Sequence, residues 1–445
     1  MEMTQLVALA IFLVAIVIVI TGVIDRSAGA AAGALAMVLL GVWGAPEAFN
    51  AVDWNVIVLL ISVWIIASYF NQTGIPEWLA LASLRVSGGR PAVFLLLLCL
   101  IAGYVSTLLD NVVVILIMAP VILRVTRPLG LRSAPFLLLV GLSANLMGTA
   151  LLIGDLPPQL LHSVAGAEFP DFIWQFGRPS SFPILTVAFL ATLAYFYARS
   201  HAFIGHAVPV VSGAAVGLDE PTGTASPGPA IPNKAFAWVV CVGFGLTILG
   251  MAGRQLIQHE LGFIAAAGAF GLIVVLEVFR KQLNPPDFEK IMTELDWRAV
   301  LFYVALFALV GGLEHTHIIG ALAHALAPFF DQPFIGVTLL YWVTLPIVAV
   351  VEHDAYILTF LYVIRDLPSQ VNPWPLYWGL LWAGTLGSNL TVAGAPALYV
   401  ALNLAEAEAG KISLREFLSY SVPFVAISTG VTYLLLILIW VLPGM

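Results

Sequence analysis

The chain has 445 residues, of which 61% are hydrophobic and only 9% charged, and its mean hydropathy is +1.02. A soluble domain carries about a quarter of its residues as charges, so the composition argues against a soluble enzyme and makes the bilayer the solvent. The net charge of -8 comes without a basic cluster that would imply a nucleic-acid partner, and the two cysteines, Cys99 and Cys241, form neither a disulfide framework nor a CxxC motif.

Several apolar runs reach the roughly 20 residues that a helix needs to cross a hydrocarbon core. The first, Leu6 to Ile24, follows the acidic start Met1-Glu2 and reads as a retained span, not a cleaved leader. The run beginning at Val52, VDWNVIVLLISVWIIASYF, returns at Leu295 as LDWRAVLFYVALFALVGG, with Asp53 opposite Asp296. LLDNVVVILIMAPVI returns as VVEHDAYILTFLYVI, pairing Asp110 with Glu352 and Asn111 with His353. NLMGTALLIGD returns as TLGSNLTVAGA, pairing Thr149 with Asn389 and Gly154 with Gly394. Three matches in order at nearly constant spacing imply an internal duplication.

The stretch 199–235, which contains GLDEPTGTASPGPAIPNK, lacks apolar periodicity and reads as a linker. The expected organisation is an extra span over 1–27, a first repeat over 28–198, a cytoplasmic linker over 199–235, a connecting span over 236–259 and a second repeat over 260–445. With the N-terminus outside, 14 of the 17 Lys and Arg fall in cytoplasmic loops, leaving Arg178, Arg254 and Arg365 outside. On that path the run after Asp53 heads inward and the run after Asp296 heads outward. The fold class expected is therefore an all-α polytopic membrane protein of two inverted-topology repeats, with about ten full spans, in the inner (plasma) membrane.

Arg90 and Arg124 lie on the same side of that path, so the apolar segment between them must enter and return. It predicts a helical hairpin with Asp110-Asn111 at its tip, and Glu352-His353-Asp354 marks the tip of a second hairpin from the opposite side. Asn145 to Thr149 before Gly154-Asp155-Leu156-Pro157-Pro158, and Thr385 to Asn389 before Gly394-Ala395-Pro396, read as interrupted helices. Interrupted helices expose unpaired N–H and C=O groups, and irregular backbone at membrane depth is tolerated where it lines a cavity. Asp110 and Glu352 sit in apolar surroundings, where an unpaired charge is costly and acids usually mark an ion or proton path. His353 belongs to the residue type that gains or loses a proton near neutrality, and Asp354 can pair with it. Asp155 can cap the half-helix at Pro157 or couple to transport directly. Glu314-His315-Thr316-His317 has a metal-like spacing but matches a loop of the first half. Trp43, Trp54, Trp174, Trp374, Trp378 and Trp440 flank apolar runs and read as interfacial anchors.

LLDNVVVILIMAPVI, GTALLIGDLPP and GSNLTVAGAPA followed by KISLREFLSYSVP resemble the arsenite permease and P-protein branch of the ion transporter superfamily, over roughly Ala51 to Leu442. The resemblance implies substrate binding by Asn111, Asn145, Thr149, Ser388 and Asn389. Proton coupling is assigned to Asp110, Asp155, Glu352, His353 and Asp354. Two departures stand out: Glu352-His353-Asp354-Ala355 replaces a second Asp-Asn-Val-Pro, and Leu156 is inserted before Pro157. An imidazole in place of an amide oxygen favours a proton over sodium there.

No Lys or Arg is expected beside the tips or breaks, which favours a neutral oxyacid or a cation over a strong anion. The sequence thus points to proton-coupled efflux of arsenite, antimonite or a similar small oxyacid. A sodium/proton antiporter of the same fold is the alternative, and an intramembrane metalloenzyme using Glu314, His315 and His317 is a rival of another class. The implied partners are a small inorganic solute, a proton or else sodium, and membrane lipid. A homodimer is left open, no nucleic acid is expected, and neither a cofactor nor a resident metal is called for.

Overall fold

The computed structural model describes residues 2–21, 23–127, 130–200, 231–330, 332–368 and 371–444, so most of the expected linker lies outside the described residues. In chain order the helices are α1 (Met3–Thr21), α2 (Arg26–Leu39), α3 (Ala45–Asn50), α4 (Trp54–Gln72), α5 (Ile75–Val86), α6 (Pro91–Ser106), α7 (Asn111–Thr126), α8 (Ala134–Gly148), α9 (Leu156–Ala165) and α10 (Ser181–Ala198). They continue with α11 (Lys234–Ala252), α12 (Leu261–Val278), α13 (Phe288–Glu294), α14 (Trp297–His315), α15 (Ile318–Phe330), α16 (Pro333–Val348), α17 (His353–Arg365), α18 (Trp374–Ser388), α19 (Pro396–Ala409) and α20 (Leu414–Leu436). Among the described residues, seven helices are long and apolar enough to cross a membrane, and the protein is an all-α polytopic membrane protein.

The two halves match helix for helix, α2–α10 against α12–α20. The matches extend to the devices that start and stop the helices. Asp53 and Asp296 cap α4 and α14, and Asp110 and Glu352 cap α7 and α17, each carboxylate accepting from first-turn N–H groups. At the two breaks only glycine fits. A Cβ on Gly154 would lie 2.4 Å from the Gly148 carbonyl oxygen, and one on Gly394 would lie 2.5 Å from that of Ser388.

Side-chain neighbours fix the helix directions. Ala51, just before α4, sits against Gly311 near the end of α14, whereas Trp64 and Ser68 late in α4 share a cavity with Asp296 and Ala299 at the start of α14. These two counterpart helices are therefore antiparallel. Phe94 meets Phe136 and Gly103 meets Met147, so α6 runs alongside α8 from one end of the molecule to its middle. There the chain turns, and α7 runs back to the connection that starts α8. On the other side Val337 meets Gly379 and Leu345 meets Gly387, while Ile357 meets Gly384, so α16 follows α18 inward and α17 returns along it.

Each interrupted helix crosses the middle. Arg127 holds Glu408 at the end of α19, its Nε 2.7 Å from Oε1, and Arg132 pairs with Glu416 before the start of α8. Phe172, after α9, packs on Trp378 near the start of α18. So α8–α9 and α18–α19 traverse in opposite senses and meet at their breaks. Arg124, Arg127, Arg132, Lys290 and Arg298 cluster with Glu77, Glu408, Glu416, Glu294 and Asp25 at one end. Arg178, Arg254 and Arg365 lie at the other, Arg254 paired with Glu168 and Arg365 with Glu314.

Three tryptophans correct the expected anchoring. Trp43, Trp378 and Trp440 are buried within the protein, Trp378 stacking on Trp382 and donating to Gln175, whereas Trp54 and Trp174 are exposed. An aromatic ring at the end of an apolar run serves protein packing as readily as a lipid interface. Glu314 and His315 end α14 as helix residues, with the turn following at Thr316-His317.

Candidate functional site

Both hairpin tips and both breaks converge. Asp110 ends the first tip and its Oδ1 accepts from the backbone N–H of Val112 at 2.9 Å and of Val113 at 3.3 Å. Asn111, the first residue of α7, donates through Nδ2 to Asn145 Oδ1 at 2.9 Å and to Asp155 Oδ2 at 3.0 Å. Asp155 caps α9, its Oδ1 accepting from the Leu156 N–H, while its Oδ2 accepts from Asn111 at the tip.

Asn145 carries the link between halves. Its Nδ2 donates to Thr385 O at 3.3 Å, Ser388 Oγ at 3.1 Å and Asn389 Oδ1 at 3.0 Å. Thr149 Oγ1 donates to Thr385 Oγ1 at 2.7 Å, and Asn389 Nδ2 donates to Leu142 O at 3.4 Å. Asn145, Thr149, Ser388 and Asn389 are wholly enclosed. They form a polar layer that ties the two interrupted helices together, each hydrogen bond between helices being worth about 0.6 kcal/mol in a membrane setting.

In front of this layer lies a cavity of about 150 Å³ whose lining includes Asp110, Asn111, Asp155, His353, Asp354 and Pro396. Of the expected substrate ligands Asn111 alone lines it; the other four stand one layer behind. Four further groups were not expected there. Asp296 and Tyr303 of α14 line the cavity, and so does Arg26 from the first turn of α2, its guanidinium 5.3 Å from the Phe302 ring centroid. This overturns the expectation that no cation approaches the tips. The reason is lateral packing: α2 lies parallel to α14, Ser27 donating to Arg298 O at 2.8 Å and Met37 meeting Gly312, so a long side chain at the start of α2 reaches over the start of α14. Glu294 completes the rim, giving five carboxylates against one guanidinium and one imidazole.

The second tip is built differently. Glu352 Oε2 accepts from Ala355 N–H at 3.0 Å, and His353 Nδ1 bonds the Gly394 carbonyl at 3.0 Å. Glu352 Oε1, His353 Nε2 and Asp354 Oδ1 are buried with no hydrogen-bond partner. His353 and Asp354 face the cavity.

A polytopic helical bundle with two interrupted helices meeting at an enclosed polar centre is a membrane transporter. The chain belongs to the citrate transporter family, CitMHS, whose pattern matches residues 16–384. An uncharacterized transporter of Mycobacterium bovis is 28% identical over 425 residues, covering 93% of each chain. The 46 kDa membrane protein of Mycobacterium leprae is 28% identical over 433 residues, covering 95% of this chain and 96% of its own. The human P protein is 24% identical over 493 residues, covering 94% of this chain and 58% of its own, and stands for the branch that the tip and break motifs resemble.

Proposed function

We propose that the protein is a secondary active transporter working by alternating access, with arsenite, antimonite or a similar small uncharged oxyacid carried outward against protons. The observation that supports it most is an asymmetry between related clefts. At one end Ser163 of α9 donates to Asp53, the cap of α4, and bridges the two helices. At the other end Asp296, the counterpart of Asp53, lines the open cavity together with Pro396, the first residue of α19. Related modules, bridged on one side and parted on the other, are what a carrier caught facing one way presents. The basic end is the open one, and basic ends favour the cytoplasm.

The charge balance argues for the substrate class. Five carboxylates against one guanidinium disfavour a bare polyanion, such as the citrate of the family's name, and suit a neutral hydroxylated solute or a cation. In this reading Asp110, Asp155, Glu352, His353 and Asp354 exchange protons, Asn111 meets the solute, and Asn145, Thr149, Ser388 and Asn389 hold the breaks in register. The repeats span 28–198 and 260–445, joined through 199–235 and 236–259 and preceded by 1–27.

Inside-out vesicles under an imposed pH gradient test the proposal: arsenite should accumulate, and a sodium gradient alone should not drive it. Failure of arsenite to accumulate under either gradient defeats the efflux claim. The same acidic cavity also favours, as a second reading, a sodium/proton antiporter, which would reveal itself as sodium-dependent alkalinisation without arsenite.

A further inference from the structure

Away from the polar centre, α11 and α12 pack side by side and leave a groove of about 660 Å³ on the surface of the bundle. Trp238, Val242 and Leu246 stand one turn apart along one bank, all exposed, and Ile264, Gly271 and Val275 lie along the other. A Cβ on Gly268 would strike the Thr247 hydroxyl, so the floor is tight, whereas one on Gly271 would meet nothing within 4 Å. The Thr247 hydroxyl donates to the Gly243 carbonyl at 2.8 Å, so the walls offer hydrocarbon and suit an apolar occupant.

Trp238 to Thr247 and Ile264 to Val275 extend about 14–17 Å at 1.5 Å per residue, half of a hydrocarbon core of about 30 Å. That is the depth of one leaflet's chains, whereas the spanning helix of a second copy would need a groove through the full thickness. One mouth lies at the basic end. Lys234 stands one turn before Trp238 on the same row, and Pro232 lies against Gly74, close to the Glu77 that pairs with Arg124. Asn233 caps α11 and donates to the Leu283 carbonyl at 2.6 Å, which draws Lys281 toward the start of α11. Arg280 is held by Glu277 and Asp287, but Lys234 and Lys281 are exposed and have no ion-pair partner among the described residues. Trp238, 69% exposed, stands where an indole prefers the headgroup boundary. We propose that the groove holds one acyl chain of an anionic phospholipid from the leaflet at the basic end, its phosphate beside Lys234 and Lys281. Basic side chains at the mouth of an apolar furrow combine charge attraction with chain burial, each lysine giving about fivefold in affinity. Occupancy of the groove does not depend on which solute the centre carries.

Native mass spectrometry of the full-length protein in detergent, titrated with phosphatidylglycerol and with phosphatidylcholine of the same chains, tests the site. One phosphatidylglycerol per chain should bind ahead of any further lipid and about 20-fold more tightly than phosphatidylcholine. Gly271→Leu fills the groove without displacing a neighbour and should abolish that first binding event. Lys234→Gln combined with Lys281→Gln, both on the surface, should bring the affinity for phosphatidylglycerol down to that for phosphatidylcholine. Absence of a preferred phosphatidylglycerol on the parent, or its retention unchanged by Gly271→Leu or by the double lysine variant, overturns the proposal. A dimeric parent that Gly271→Leu turns into a monomer overturns it as well, because the groove would then be covered by a second copy. Arsenite uptake is assayed separately, so that reading can fail while lipid binding stands.

Discussion

The side-chain amide of Asn145 donates to Asn389 Oδ1 at 3.0 Å, joining the interrupted helix of one half to that of the other. The same amide also reaches Ser388 and the Thr385 carbonyl, and its oxygen receives Asn111. Asn145→Ala would leave the enclosed Asn389 Oδ1 unpartnered and take one of the partners of Ser388, the Thr385 carbonyl and Asn111, at about 1–3 kcal/mol for a group left unsatisfied. Thermal unfolding of the purified variant should begin several degrees lower, and vesicle transport should be lost. A variant melting with the parent would show that the polar layer does not hold the breaks.

The hydroxyl pair Thr149–Thr385, at 2.7 Å, allows the strength of that layer to be measured across the two halves. Thr149→Val and Thr385→Val each remove one partner at nearly constant shape, and the double variant removes both. A double-mutant cycle on unfolding free energy should give a coupling of about 0.5–1 kcal/mol. Strict additivity would mean that the two hydroxyls are satisfied elsewhere, Thr385 by the Leu381 carbonyl at 3.2 Å.

The parts of the centre that local chemistry dictates are visible along the chain. Asp53, Asp110 and Asp296 stand where apolar runs begin, which is where a carboxylate caps a helix, and Gly154 and Gly394 stand where a side chain would strike a carbonyl. What sequence cannot supply is the side-by-side arrangement of spans. α2 buries a face of mostly small residues, among them Ser27, Gly33 and Met37, but such a face marks a helix contact without naming α14 as the neighbour. Arg26 therefore reads as a loop charge although it lines the cavity, and Tyr303 reads as one more aromatic in a span. For the same reason Asn145 and Asn389 are placed at the breaks by sequence, but not behind the cavity wall.

Arg26 contributes the one guanidinium of a cavity lined by five carboxylates, and it stacks on Phe302. Arg26→Gln should raise the repulsion among those acids and shift the pH dependence of transport toward more alkaline values, because protons then replace the lost positive charge. Arg26→Lys should restore most of the charge effect but not the stacking. Profiles of transport against pH that coincide for Arg26→Gln and the parent would show that this charge is not felt at the centre.

The related clefts make the most discriminating prediction. Asp53 bonds Ser163, the eighth residue of α9, at the bridged end. The eighth residue of α19 is Asn403, and the counterpart of Asp53 is Asp296, beside the open cavity. If the halves exchange conformations, Asp296 and Asn403 approach when Asp53 and Ser163 part. With Cys241→Ser as background and Cys99 buried, the pair Asp53→Cys and Ser163→Cys should cross-link readily under oxidation and arrest transport, with reduction restoring it. The pair Asp296→Cys and Asn403→Cys should cross-link only during turnover, when substrate and a pH gradient draw the protein through its opposite state. Equal and gradient-independent cross-linking of both pairs would rule out an exchange between the two clefts, and alternating access with it.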